Sequence, residues 1–174
     1  RSEFGRIFEK YIFDILKEAQ QFNEIYSEKK YRHQGNIYHS SDIMCKADSD
    51  YLFFECKFSV PQAYFRNFDK ESFDHEIDKL AKNIIQVYKS FIRFTKHIEY
   101  SPFIEKEEID PKDFWGIIVV LEYSNIDNRL IYSKVADMLG LDMKSEKMLW
   151  ICNHIKISDI SDIERYCFNS SSKA

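Results

Sequence analysis

A hairpin between Ser40 and Phe58 constrains this chain more than any other stretch. The stretch reads as two strands, joined through Asp48, Ser49 and Asp50, whose short polar side chains bond their own backbone in turns. Alternation along the second strand puts Leu52, Phe54, Cys56 and Phe58 on one face and Tyr51, Phe53, Glu55 and Lys57 on the other. A glutamate and a lysine therefore emerge side by side from a strand that is otherwise apolar. If Asp48 and Ser49 form a two-residue loop, Asp42 sits across from Glu55. Opposed Cβ atoms lie about 4.5–5.5 Å apart there, and like charges repel. A bound cation or the Lys57 ammonium would offset that repulsion. A one-residue slip would send Asp42 to the other face.

The remaining elements suit a sheet with helices on both sides. Helical spacing of Phe4, Ile7, Phe8, Tyr11, Ile12, Ile15 and Leu16 predicts a helix from Glu3 to about Gln20, with Ser2 as its N-cap. Glu9 falls on the flank of that apolar face. It is either a solvated helix residue or a side chain reaching over the end of the sheet. A first strand is expected from about Asn23 to Tyr31, then a turn at Gln34-Gly35-Asn36, with Pro61 closing the hairpin's second strand. Residues 62–74 read as an irregular flap. From about His75 to Lys96 a long helix follows, with Lys82, Gln86, Lys89 and Arg93 as a polar stripe opposite its apolar face. That stripe is a solvated surface or a nucleic-acid contact. Pro102 and Pro111 bracket an acidic linker. Phe114 to Glu122 lacks alternation and reads as a strand buried on both faces. A short helix ends at Gly140. Met148 to Ile155 is expected as a strand, Ser161 with Glu164 as the capping box of a last helix, and Asn169 to Ala174 as a polar tail.

With only four glycines, none clustered, a phosphate-binding glycine loop is excluded, and no Gly-x-Ser-x-Gly or His-Glu-x-x-His is present. Acid-x-Lys occurs four times, at Glu28/Lys30, Glu55/Lys57, Asp110/Lys112 and Asp142/Lys144. Only Glu55/Lys57 lies in an apolar strand. Two carboxylates and a backbone carbonyl suit Mg²⁺, which keeps several waters. Phosphodiester hydrolysis needs such a cation together with an activated water, which a neighbouring lysine can orient or deprotonate. Asp42, Glu55, the Cys56 carbonyl and Lys57 supply these parts within one hairpin.

The helix bearing Phe8-Glu9, then Ser41-Asp42, then Phe54-Glu55-Cys56-Lys57 on an apolar strand, then a long helix, resembles the PD-(D/E)xK nuclease superfamily over about residues 3–123. The resemblance implies an α/β (α+β) restriction-endonuclease-like fold with an αβββαβ core, a mixed central sheet flanked by helices, and here a C-terminal strand–helix extension. It implies Asp42 and Glu55 as metal ligands, with the Cys56 carbonyl and Glu9 completing the site, and Lys57 as the catalytic lysine. Gln86 answers to the polar residue many members carry on the next helix, with Lys82 its competitor. Ser41 stands where the family has proline. The implied activity is Mg²⁺-dependent cleavage of DNA, Mn²⁺ substituting. An RNA-cleaving version of the site and an inactive binding or scaffold module are the alternatives.

At 174 residues the chain is expected to form one domain, excised from a longer protein or not. Its formal charge of −4 argues against holding nucleic acid by bulk charge alone, though not against a basic groove on an acidic surface. A homodimer or an added recognition domain is the expected partner for paired cuts. No apolar run is long enough to span a membrane, no signal peptide is legible, and Cys45, Cys56, Cys152 and Cys167 form no Cys-x-x-Cys pair. Reduced, buried thiols and a cytoplasmic location are expected.

Overall fold

The structure, a computed structural model, describes residues 2–58, 69–104, 109–122 and 126–170. It is a mixed α/β arrangement. Five strands, β1 (Glu24–Ser27), β4 (Ile43–Ala47), β5 (Asp50–Lys57), β6 (Phe114–Val120) and β7 (Ile155–Asp159), form one sheet in the order β1-β4-β5-β6-β7. The β1/β4 and β4/β5 pairs are antiparallel, whereas β5/β6 and β6/β7 are parallel. Parallel neighbours need crossover connections. The first crossover carries helix α2 (Lys70–Lys96), and the second carries α3 (Asn128–Leu139) and α4 (Glu146–His154).

Alternation along β5 separates two cores as the sequence predicts. Tyr51 and Phe53 join Ile77, Leu80, Ile84 and Phe91 of α2 on one face. Phe54 and Cys56 join Phe8, Ile12, Ile15 and Leu16 of α1 (Glu3–Glu18), with Ile163 and Cys167 of α5 (Ile160–Ser170), on the other. Each such side chain contributes roughly 1.5–3 kcal/mol by leaving water. The Ser2 Oγ accepts the Gly5 N–H at 3.2 Å, the expected N-cap of α1. Along β6, Phe114, Gly116, Ile118 and Val120 are buried on one face, while on the other Val119 is buried and Trp115 and Ile117 are half-buried, so the expected burial on both faces is complete on one. Gly116 is there for space: a Cβ at this position would meet Val87 Cγ1 of α2 well inside contact distance.

Several boundaries differ from expectation. The stretch from Asn23 to Tyr31 is two strands, because after Ser27 the chain leaves the main sheet. Residues Lys30–His33 (β2) then pair with Asn36–His39 (β3) as a separate two-stranded ribbon. The Gln34-Gly35 turn, with φ of 48° and 82°, puts both central residues in the left-handed region, the conformation whose twist matches the right-handed twist of the strands in a two-residue hairpin. Helix α2 starts at Lys70, earlier than His75, because Asp69 Oδ2 accepts the Ser72 N–H at 2.9 Å and caps it. Residues 148–154 are helical, not extended. Ser145 caps them, and Met148 and Ile151, one turn apart, fill the core. A short apolar run does not by itself distinguish strand from buried helix. The last helix is capped by Asp159, whose Oδ1 accepts the Asp162 N–H at 3.0 Å, two residues before the expected cap at Ser161 of the box with Glu164. Helix α3 ends as predicted, with Gly140 in the left-handed region at φ 63°. Pro61, most of the flap at 62–74, the acidic linker at 105–108 and the end of the polar tail lie outside the described residues. Among the described residues no helix is long and apolar enough to cross a membrane.

Candidate active site

The β4–β5 loop is two residues long, with Asp48 at φ 52°, and Ala47 pairs with Asp50. From there the register runs to Ile43 opposite Phe54, and Asp42 is the residue just before β4, next to the end of that ladder. Both carboxylates are buried, Asp42 at 5 % and Glu55 at 3 % exposure. Burying an ion costs several kcal/mol unless its lone pairs find partners. Asp42 Oδ2 accepts the Cys56 N–H at 2.8 Å, which turns the carboxylate along β5 rather than straight at Glu55. Glu55 Oε1 accepts from Lys57 Nζ at 2.7 Å and also from the Gln86 side-chain amide. Lys57 Nζ reaches Gln86 Oε1 at 3.3 Å, closing a three-membered polar cluster between strand and helix. The Lys57 ammonium thus supplies positive charge directly beside Glu55.

Burial sets this pair apart from another acid-x-Lys match. Lys112 and Asp110 also pair, at 3.0 Å, but their side chains are 74 % and 49 % exposed, against 27 % and 4 % for Lys57 and Glu55.

Gln86 does not lie opposite the packed face of α2. Asn83, Val87 and Ser90 are buried, so that face is wider than its apolar residues alone suggest, and Gln86 stands on its rim within reach of β5. Lys82, one turn earlier, is exposed and lines an open cleft with Gln86, Lys89 and Arg93. Glu9 shares a second cleft with Asp42, Arg6, Ser27 and Glu28. The Cys56 thiol is pushed well above its ordinary value, first by burial and then by the negative charges of Asp42, Glu9 and Glu55, with Lys57 opposing. A thiol held protonated there is a poor ligand, which leaves the Cys56 carbonyl as that residue's hard donor.

One supporting contact escaped the sequence reading. Ser41 Oγ lies 3.1 Å from Ser90 Oγ, and both residues are buried. This bond ties the residue before Asp42 to α2, one turn beyond Gln86. Its only sequence signal is a serine set within the apolar face of a helix.

By chemistry, the two carboxylates and the carbonyl suit a hard cation. Among the described residues, however, no group of three or more His, Cys, Asp and Glu side chains is gathered to hold a metal ion. Two carboxylates plus a main-chain oxygen is the set these strands offer.

No family model and no curated protein matches this chain. Among solved structures it is similar to the small subunit of a heterodimeric restriction endonuclease, R.BspD6I. That likeness has a TM-score of 0.42 and 14 % identity over 94 % of this chain and 67 % of the other. It is also similar to a protein from Vibrio cholerae, with a TM-score of 0.45 and 10 % identity over 99 % of this chain. The chain spans 36 % of that second protein's length. With TM-scores this low, the likenesses decide nothing about chemistry.

Proposed function

We propose that this chain is a metal-dependent nuclease of the PD-(D/E)xK type that hydrolyses phosphodiester bonds in DNA. One observation carries the reading. The buried Glu55 carboxylate pairs with the half-buried Lys57 at 2.7 Å at the end of a core strand, and the buried Asp42 accepts the N–H of Cys56 between them. Structural needs alone do not call for that. A hydrophobic pair of similar volume is often as stable as a buried ion pair.

In this reading Asp42, Glu55 and the Cys56 carbonyl hold Mg²⁺ or Mn²⁺, with Glu9 reaching in from α1. Such an ion, when bound, neutralises charge on the phosphoryl oxygens. The remaining work belongs to the chain's own side chains. An ammonium has three donors, and Lys57 directs two of them to Glu55 and Gln86. The third is left for the attacking water or a phosphoryl oxygen. Gln86 bonds both Glu55 and Lys57, so it fixes their separation as substrate arrives. Lys82 stands on the substrate side of the same helix.

The test is cleavage of plasmid DNA with Mg²⁺ or Mn²⁺ by the parent chain and by Asp42→Ala, Glu55→Ala and Lys57→Ala, with circular dichroism to verify folding. All three variants lose activity on this reading, and full activity in all three overturns it. RNA offered in parallel separates the RNA-cleaving version.

A second reading, a nuclease-fold binding module without turnover, has its own support. Cys56, Lys57 and Gln86 already engage the two carboxylates. Calorimetry with Mn²⁺ distinguishes the two, since a module without turnover takes up no ion at the hairpin.

A further inference from the structure

The β2–β3 ribbon has one packed side and one open side. Tyr31 and Tyr38 stack on each other at 5.5 Å, Tyr31 stacks on Tyr100 at 4.7 Å, and its hydroxyl lies 3.1 Å from His97 Nδ1. His33 stacks on His97 at 4.2 Å. This inner side fastens the ribbon to the C-terminal end of α2. The outer side carries the cross-strand pairs Lys30 with His39 and Arg32 with Ile37, all four exposed. Apart from His39, which bonds Glu28 at 3.0 Å, none of this outer side's function is explained by the fold.

This open side continues into α2. Arg93 stands in the wall of a small hollow that Lys29, His39 and His97 also line, and in the wall of the open cleft with Lys82, Gln86 and Lys89. Its Nε is buried and has no hydrogen-bond partner among the described residues. A buried guanidinium donor left unpaired is costly and calls for an acceptor. Arg93 thus joins Lys29 and His39 at the ribbon to Lys82 and Lys89 on α2 in two adjoining hollows, a run of cations in a chain whose formal charge is −4, with the exposed Lys30 and Arg32 on the ribbon itself. The belt ends at Gln86, which bonds Glu55. At the ribbon's other end, only Ser40 and Ser41 separate His39 from Asp42. Both ends therefore arrive at the same site.

We infer that this belt is the docking surface for B-form duplex DNA, with the outer side of the ribbon in the major groove and Arg93, Lys89 and Lys82 on the phosphates that lead to Glu55. The inference rests on the nuclease reading. It adds the surface, the form of the duplex and the element that enters the groove. A two-stranded ribbon fits the roughly 12 Å major groove of B-DNA. The deep, narrow major groove of A-form RNA does not admit it. The exposed Arg32 and Ile37 have the chemistry to meet a guanine edge and a thymine methyl. Concentrating cations on one side reconciles phosphate binding with an acidic chain.

The experiment is fluorescence anisotropy in EDTA, so that no cutting intrudes, with a labelled DNA duplex and an RNA duplex of the same sequence. The proteins are the parent, Lys30→Glu/Arg32→Glu, Lys89→Glu, and Lys17→Glu, on α1 across the sheet, as the charge-matched control for Lys89→Glu. Cleavage is measured beside it with Mg²⁺. The double variant should weaken DNA binding on the order of tenfold or more and lower the slope of log K against log salt by about two. Lys89→Glu should weaken binding more than Lys17→Glu. Belt variants that bind like the control overturn the inference, and if the parent then still cuts DNA, the nuclease reading survives. Belt-dependent DNA binding by a parent that never cuts supports the surface and removes the nuclease. Equal or tighter binding of RNA, or no duplex binding, overturns the inference.

Discussion

Asp42 and Cys56 are joined by a bond from the Cys56 N–H to Asp42 Oδ2 at 2.8 Å, and that bond gives one carboxylate two separable roles. It satisfies a buried main-chain donor, and it holds negative charge beside Glu55. Asp42→Asn keeps an acceptor and removes the charge, so the fold should survive while Mn²⁺ uptake and cleavage are lost. Asp42→Ala removes both, and the stranded Cys56 donor should cost about 1–3 kcal/mol in urea unfolding. Calorimetry together with unfolding separates the roles. If Asn and Ala variants are equally destabilised, the bond to Cys56 is not what holds the strand end.

Lys57 should prove to be a folding partner as well as a catalytic one. Replacing it with Met takes the ammonium away from Glu55, which is only 3 % exposed, and leaves the bond from Gln86. Breaking a buried pair from one side costs about 3–5 kcal/mol. Here about 2–3 kcal/mol is expected, because solvent reaches Lys57 and screens part of the interaction. The double variant Glu55→Gln/Lys57→Met should recover much of that loss, since no charge is then left unpaired. A double-mutant cycle by urea unfolding checks this, and additive losses would show that the pair is not coupled.

How legible the site was depends on what each residue needs. Asp42, Glu55 and Lys57 could be placed from a loop length and a period of two, both local properties. Gln86 could not be placed correctly, because its position depends on how widely α2 is buried. That width includes the buried polar residues Asn83 and Ser90, and the partner of Ser90, Ser41, lies elsewhere in the chain. The same distinction runs through the fold. The cap at Ser2 and the C-terminal glycine at Gly140 are written in neighbouring residues. The β2–β3 ribbon leaves the main sheet through a pairing that no short window shows. Residues 148–154 have an apolar run too short for its period to decide, and the cap at Ser145 and the packing of Met148 and Ile151 make it a helix.

Gly116 should resist even the smallest substitution. A methyl there runs into Val87 of α2, and one added carbon in a filled core typically costs about 1–3 kcal/mol. Gly116→Ala should therefore lower the urea midpoint, and Gly116→Ala/Val87→Ala should regain part of it by returning the space. Because Gln86 is the neighbour of Val87, the single variant should also weaken cleavage beyond what its stability loss explains. No recovery in the double variant would mean that the glycine is needed for something other than the approach of α2.

Alkaline pH should destabilise the protein through its buried thiols. Burial raises Cys167 from 9.0 to about 11, and Cys45 is pushed up further by burial and by the neighbouring Cys167. Above pH 9 the unfolded chain has released these protons while the folded chain still holds them. The folded state then binds more protons than the unfolded state, so stability falls as pH rises. The contribution is fully present below pH 9 and is lost on rising through about pH 11, on the order of 2–3 kcal/mol for Cys167. Tyr11, Tyr26, Tyr31 and Tyr166 are also raised and titrate nearby, so the parent curve alone does not identify the thiol. The informative comparison is urea unfolding of the parent and of Cys167→Ala at steps between pH 8 and pH 11. Cys167→Ala starts less stable, because it loses a buried side chain, but its curve should fall less steeply above pH 9. Parallel curves would assign the alkaline loss to the tyrosines instead.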